Sequence, residues 1–331
     1  MKKITIIFLS VFLIFLGLWL FISSRIAYHN PSSIFFSNNQ KVSNIENFTL
    51  TTTGDIGLGR YVNHMIITHN DPNFPFLHIS QYLRSADLTI TNLESPLIKN
   101  CPTIITGFRF CGQDTNIDGL LHAGIDTVNL ANNHTTNYGI EGLIETQNLL
   151  EENGIIGFGV NNEIKYTNIK GYNIALLGFV ELGNNWHGLT NATENTIKSL
   201  IREARNHADI VIAAFHWGNE YTHNPSENQI RLGRLAVENG ADLILGNHAH
   251  WIQPYEIYQG KYIIYAQGNT IFDQDWSEKT KQGVLYTFEF ANGKFNLIDE
   301  KYTIIEHNSQ PRFATSEEGR GIEKSLEIKG N

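Results

Sequence analysis

The sequence predicts a layered α/β domain carried behind an N-terminal membrane helix. Three observations lead there. Residues 4 to 22 form an uncharged apolar run; from residue 48 onward short β-type runs alternate with amphipathic stretches; and carboxylate, amide and imidazole residues recur where those β-type runs end.

Taken in order, Lys2 and Lys3 precede ITIIFLSVFLIFLGLWLFI, long enough to cross a bilayer as a helix. The positive-inside bias holds the lysines in the cytoplasm and places the chain beyond residue 25 outside. A cleaved signal peptide is the rival reading. Bulky residues followed by Ser23, Ser24 and Arg25 offer no small-x-small cleavage site, so an uncleaved anchor over residues 1–25 is expected. A polar, Ser- and Asn-rich linker over 26–46 comes next, then a globular domain over 47–305.

Strands are predicted over 48–53, 88–93, 127–131, 173–179, 209–215, 242–246 and 262–266. Helices are predicted near 76–86, 116–123, 139–153, 193–207 and 226–239. Asn292-Gly293 supplies the left-handed turn residues of a hairpin between VLYTFEF and KFNLIDEKYTII. The polar tail over 306–331 is expected to be poorly ordered. Cys101 and Cys111 suit a hairpin staple in an oxidising compartment, or two free thiols in a reducing one.

At 331 residues and 41% hydrophobic, the chain can bury a substantial core without disulfides. Its formal charge of −9 argues against nucleic acid, which needs a basic surface to displace phosphate counterions.

The chemistry lies at the strand ends. Asp55 follows the first predicted strand, Glu94 ends the second, Asn133 and His134 follow the third, His216 follows 209–215, and His248 and His250 follow 242–246. In open α/β sheets such ends share one edge, where ligand sites form. Imidazole, carboxylate and amide donors without a thiolate suit a divalent metal such as Mn²⁺, Fe or Zn²⁺, as one or two ions. His248 and His250 lie two apart, which in extended backbone points both rings to one side, so that neighbouring ions each receive one, with Glu94 as bridge. His134 is left free as a general acid. Any one of these residues alone is more often a hydrogen-bonded loop residue. Their joint placement carries the reading.

Around them, Trp217 and Glu220 are candidates to wall the pocket and orient His216, with a solvated loop charge as the alternative for Glu220. Asn269 is a candidate lining residue, with a plain turn residue as its alternative. Arg60 and Arg109 are candidate anion contacts, with surface pairing as theirs.

At these residues the sequence resembles the bacterial capsule-synthesis family of poly-γ-glutamate proteins, the CapA or PgsA-like group, related to calcineurin-like metallophosphoesterases. The resemblance rests on TGDIGLGR (53–60), ADLTITNLESPL (86–97), GIDTVNLANNHTTNYGIEGL (124–143), FHWGNEY (215–221) and GADLILGNHAHWIQPYEIYQGKYIIYAQGNTIFDQ (240–274). It implies a four-layer αββα sandwich of metallophosphoesterase type. Asp55 is similar to that fold's first ligand, Glu94 to the bridging carboxylate, Asn133 and His134 to the ligand and acid pair, and His216, His248 and His250 to the remaining ligands. Gly57 departs from the phosphoesterase pattern, which has a histidine there, so one firm metal position is expected and a second that is weaker or absent. Glu94 stands where those relatives have Asp, and Asn247, Ala249, Ala266 and Gln267 depart from the capsule pattern. The resemblance further implies an outward-facing domain working with other membrane proteins to make or export an anionic γ-linked glutamate polymer through a hydrolase-like site, and the N-terminal helix makes the expected location the cell membrane, single-pass, with that domain extracellular. A secreted metal-dependent phosphoesterase and a non-catalytic scaffold are the alternatives.

Overall fold

The computed structural model describes residues 46–183 and 185–327. The predicted membrane helix over 4–22 and nearly all of the linker lie outside them. Among the described residues no helix is long and apolar enough to cross a membrane.

In chain order the strands are β1 (Phe48–Ile56), β2 (Leu88–Leu93), β3 (Leu97–Ile98), β4 (Gly112–Gln113), β5 (Thr127–Asn129), β6 (Ile156–Phe158), β7 (Lys165–Ile169), β8 (Tyr172–Glu181), β9 (Ile210–Trp217), β10 (Leu243–Asn247), β11 (Ile252–Tyr258), β12 (Lys261–Gln267), β13 (Asn269–Ile271), β14 (Gln282–Ala291), β15 (Lys294–Glu306) and β16 (Gln310–Phe313). The α-helices are α1 (Arg60–His69), α2 (Ser80–Leu83), α3 (Ile117–Ala123), α4 (Gly139–Glu152), α5 (Glu194–His207), α6 (Glu227–Glu238) and α7 (Ser316–Glu327). One sheet runs β16-β15-β14-β1-β2-β5-β6 with β13 also on β1, and another runs β11-β12-β10-β9-β8-β7. The central strands β1, β2, β5 and β6 are mutually parallel, as are β8, β9, β10 and β12.

Alternation along the strands builds the layers. Ile210, Ile212 and Ala214 of β9 join Ile174, Leu176, Leu243 and Leu245 in a core shared with Phe48, Leu50, Leu88 and Ile90 of the first sheet. The intervening Val211, Ala213, Phe215 and Trp217 pack instead on Ile197, Ile201 and Leu232 of α5 and α6. Val62, Leu83, Leu120 and Leu143, from α1 to α4, cover the far face of the first sheet. The order is therefore helices, sheet, sheet, helices: the expected four-layer α/β sandwich.

The predicted hairpin forms β14 and β15, with Asn292 and Gly293 at φ 54° and 76°. The helix predicted over 76–86 splits into a 3-10 turn at Phe74–Phe76 and the short α2. α1 escaped the reading because Gly59 supplies no capping side chain. Through residue 327 the expected disorder of the tail is corrected by the structure. β16 pairs back on β15, the Arg312 guanidinium holds both Glu306 and Glu318, and Ile322 of α7 is buried in the core between the sheets. A few apolar residues, Ile322 with Leu326 four later, anchor a helix whose composition is otherwise polar.

Candidate metal centre

The candidate residues lie where the carboxyl ends of β1, β2, β9 and β10 face one another across the two sheets. Asn92 shares the inter-sheet face with Ile90, and Glu94 falls two residues further on. Asp55 does not obey this alternation. On strict parity it would join Thr51 on the helix side, but the β1–β2 register shifts between Thr52 and Asp55. Its carboxylate accordingly accepts from Asn92 Nδ2 at 2.8 Å and from the His248 backbone N–H at 3.2 Å. Both Asp55 and His216 lie inside their strands rather than after them, because β1 and β9 run further than expected.

The Asn92 amide is fixed by its neighbours. Its oxygen accepts from Asn129 at 3.1 Å and Asn132 at 3.3 Å, and its nitrogen faces Asp55 and His216 Nδ1. Gly178 permits this approach across the sheets, since a Cβ there would lie 2.1 Å from Asn129 Oδ1. None of Asn92, Asn129 and Asn132 was singled out from the sequence. The signal was present in Asn92, two residues before Glu94 and so on the same strand face.

Glu94 is fully buried and neither carboxylate oxygen has a hydrogen-bond partner. His250 Nε2 lies 3.6 Å from Glu94 Oε1, and His134 Nε2 and His216 Nε2 each lie 3.8 Å away. Burial, followed by the neighbouring Asp55 carboxylate, holds its pKa well above the usual range. His216 Nε2 also meets Asn133 Oδ1 at 2.8 Å and His248 Nδ1 at 3.1 Å. Burial drives His216 well below the ordinary histidine value, with the nearby imidazoles adding to it. Burial likewise brings His248 to about 3. These rings are neutral at neutral pH, the state in which imidazole ligates.

The donor set fits a divalent cation. A buried carboxylate with no hydrogen-bond partner, faced by imidazole nitrogens of His134, His216 and His250 too distant for hydrogen bonds, the first two kept neutral by burial, lacks the close positive charge that its burial demands. Ligand atoms of Asp55, Glu94 and His216 lie within 4.8 Å of one another, as do those of Glu220, His248 and His250.

His248 and His250 reach the centre differently from expectation. Their backbones are not extended: φ is 95° and 53°. These rarely populated conformations cost about 1–3 kcal/mol each and are held by the surrounding packing. His250 Nδ1 meets Asn269 Oδ1 at 2.8 Å, which places Asn269 beside the candidate ligands.

Trp217 does not. It alternates away from His216 to the helix side, where Nε1 donates to Tyr265 O at 2.8 Å. Glu220 is exposed on the loop after β9, close to His248 and His250. Arg60 is engaged by Asp273, donates to Gly107 O at 2.9 Å and stacks on Phe110. Arg109 lies exposed over Tyr138. Cys101 and Cys111 are joined in a disulfide, and Phe110 beside it packs on the His134 ring at 4.2 Å.

His134 is pushed down to about 4, chiefly by burial. Its Nδ1 lies 3.1 Å from Asn137 Oδ1, an acceptor that also takes the Phe110 N–H, so the ring proton sits on Nδ1. Nε2, toward Glu94, is then a proton acceptor in the resting state.

A sequence profile described as "Bacterial capsule synthesis protein PGA_cap" matches residues 49–274, which include every residue discussed from Asp55 to Asn269. The chain is 30% identical to the capsule biosynthesis protein CapA of Bacillus anthracis, over 82% of this chain and 70% of that protein. It is 31% identical to the PGA biosynthesis protein CapA of Bacillus subtilis, over 74% and 69%. Among solved structures it is similar in fold to a protein described as a novel phosphatase from Mycoplasma pneumoniae. The TM-score is 0.53 at 14% identity, covering 79% of this chain and 94% of that one.

Proposed function

This chain belongs to the bacterial capsule synthesis protein family, and from that membership we propose that it serves in making or exporting a γ-linked glutamate capsule polymer. In this reading it is a membrane-anchored component whose domain faces outward and carries a metal-dependent, hydrolase-like site. The apolar run over 4–22 supports the anchor, and the Cys101–Cys111 disulfide supports an oxidising, outward compartment.

The observation that carries the site is Glu94, a buried carboxylate without a hydrogen-bond partner, faced by His134, His216 and His250. Asp55, Glu94, Asn133 and His216 would hold a divalent cation, with His248 and His250 beside them. When bound, that cation supplies positive charge to attract an anionic chain and polarise its reacting carbonyl or phosphoryl oxygen. Asn92 orients Asp55, and Asn269 orients His250. His134 would take up at Nε2 the proton released by the attacking water and return it to the leaving group, its Nδ1–H anchored on Asn137. A partner complex of membrane proteins would deliver and carry away the polymer.

The test is polymer production in cells whose own copy has been replaced by Glu94→Gln or His134→Ala. Both should abolish polymer while protein levels hold. Undiminished polymer with either variant would eliminate the catalytic reading and favour a scaffold. Phosphate release from a simple ester by the purified chain, lost in Glu94→Gln, would instead identify a phosphoesterase.

A further inference from the structure

We infer that Glu220, His248 and His250 form a second divalent-cation position beside the first, with Glu220 as its carboxylate ligand. This rests on the reading of Asp55, Glu94 and His216 as the first position. The two triads share no residue, and the ligand atoms within each lie within 4.8 Å of one another.

The His250 proton is placed by its surroundings. Asn269 Nδ2 donates to Thr280 O at 2.9 Å and to Gln274 Oε1 at 3.2 Å, which turns Asn269 Oδ1 toward His250 Nδ1. Asp55 Oδ2 lies 3.4 Å from the same ring nitrogen. Nδ1 faces acceptors and so carries the hydrogen, which leaves the Nε2 lone pair open to a cation.

A carboxylate must then come from one side. Toward β1 the space is filled by carbon: a Cβ on Gly57 would lie 2.8 Å from Phe272 Cε2, and the Phe272 ring packs 4.9 Å from His250. The strand end at Gly57 could therefore offer a side chain only if the Phe272 ring moved. On the other side Tyr221 lies along His250, and the Tyr221 N–H donates to Ala249 O at 2.8 Å. That backbone bond ties the Glu220 loop to the turn bearing both histidines. Among the described residues Glu220 has no ion-pair partner. A carboxylate with two imidazoles suits Mn²⁺, Fe²⁺ or Zn²⁺. The triads also abut: His248 Nδ1 is 3.1 Å from His216 Nε2, and His250 Nε2 is 3.6 Å from Glu94 Oε1. Paired ions in such sites sit about 3.5–4 Å apart.

The experiment loads the purified full chain with Mn²⁺, counts bound metal and records its electron paramagnetic resonance. Wild type should hold about two equivalents with a spin-coupled signal, as expected of adjacent ions. Glu220→Gln, an exposed and near-isosteric change, should retain about one equivalent, uncoupled, with the second weakened at least about tenfold. Glu220→Asp should recover part of the second equivalent. About one equivalent in wild type, or about two in Glu220→Gln, overturns this inference and leaves the first position standing. No bound Mn²⁺ in wild type removes the first position and this one together.

Discussion

The two sheets bring unlike chemistry to their common edge and hold it by unlike means. From the first come the carboxylates Asp55 and Glu94 and the amides of Asn92 and Asn133, with the β-strand groups locked by amide hydrogen bonds running through Asn129 and Asn132. From the second come the imidazoles of His216, His248 and His250, and β9 beneath His216 is set in place by Phe215 and Trp217 packed against helices. A polar network tolerates the loss of a member poorly, because each partner left behind is buried and unpaired. An apolar face loses stability in proportion to the volume removed, and its effect on the site is indirect. Carboxylate against imidazole across the gap thus separates charge from positioning.

That separation can be broken in several places. Trp217→Ala should cost about 3–5 kcal/mol in urea unfolding, as a large buried aromatic is lost, while bound metal per folded chain stays unchanged. A collapse of metal content in step with stability would show that the faces are not independent. Asp55→Asn should weaken Mn²⁺ binding by more than the roughly 10–100-fold that an outer partner costs, with a smaller stability change, as isothermal titration would show. Asn269→Ala, which removes the acceptor for His250 Nδ1 along with the amide's own bonds to Thr280 O and Gln274 Oε1, should fall within that range of about 10–100-fold. A loss equal to that of Asp55→Asn would make Asn269 more than an orienting residue.

The smallest effect concerns pH. Between about 6.5 and about 4 the unfolded chain protonates histidines that His134 and His248 keep neutral in the fold, so stability without added metal should fall as pH drops through that window. Glu94 works in the opposite sense. Its raised pKa means that the fold keeps a proton the unfolded chain has lost, so its contribution falls as pH rises past about 4.5. A cation held at the site would compensate the Glu94 charge. The gain in Tm from Mn²⁺ should therefore grow from about pH 5 to about pH 8, and a gain that shrank over that range would remove Glu94 from the cation's ligands.

Much of this was legible in the chain. Apolar runs separated by amphipathic stretches marked the parallel strands and their covering helices, since burial on both faces of a strand and on one face of a helix are local patterns. Glu94 and His216 could be read from position because β2 and β9 continue their alternation into the site. Glycine and asparagine at 292–293 announced the hairpin through backbone sterics alone.

Other features depend on segments distant in sequence. Asp55 faces the gap only because β1 shifts register against β2, which single-strand alternation does not contain. His248 and His250 converge through left-handed backbone that a turn packed on Asp55 and Tyr221 sustains. Trp217, adjacent to a candidate ligand, belongs to the opposite face, and Glu220, three residues further, lies beside the histidines. The space next to Gly57 is taken by Phe272, from the strand end where β13 pairs on β1. The amino-acid order thus determined which chemical groups reach the sheet edge. Packing of one sheet on the other decided which of them meet, because side-chain direction at a bulge or turn is set by contacts across the gap rather than by neighbours along the chain.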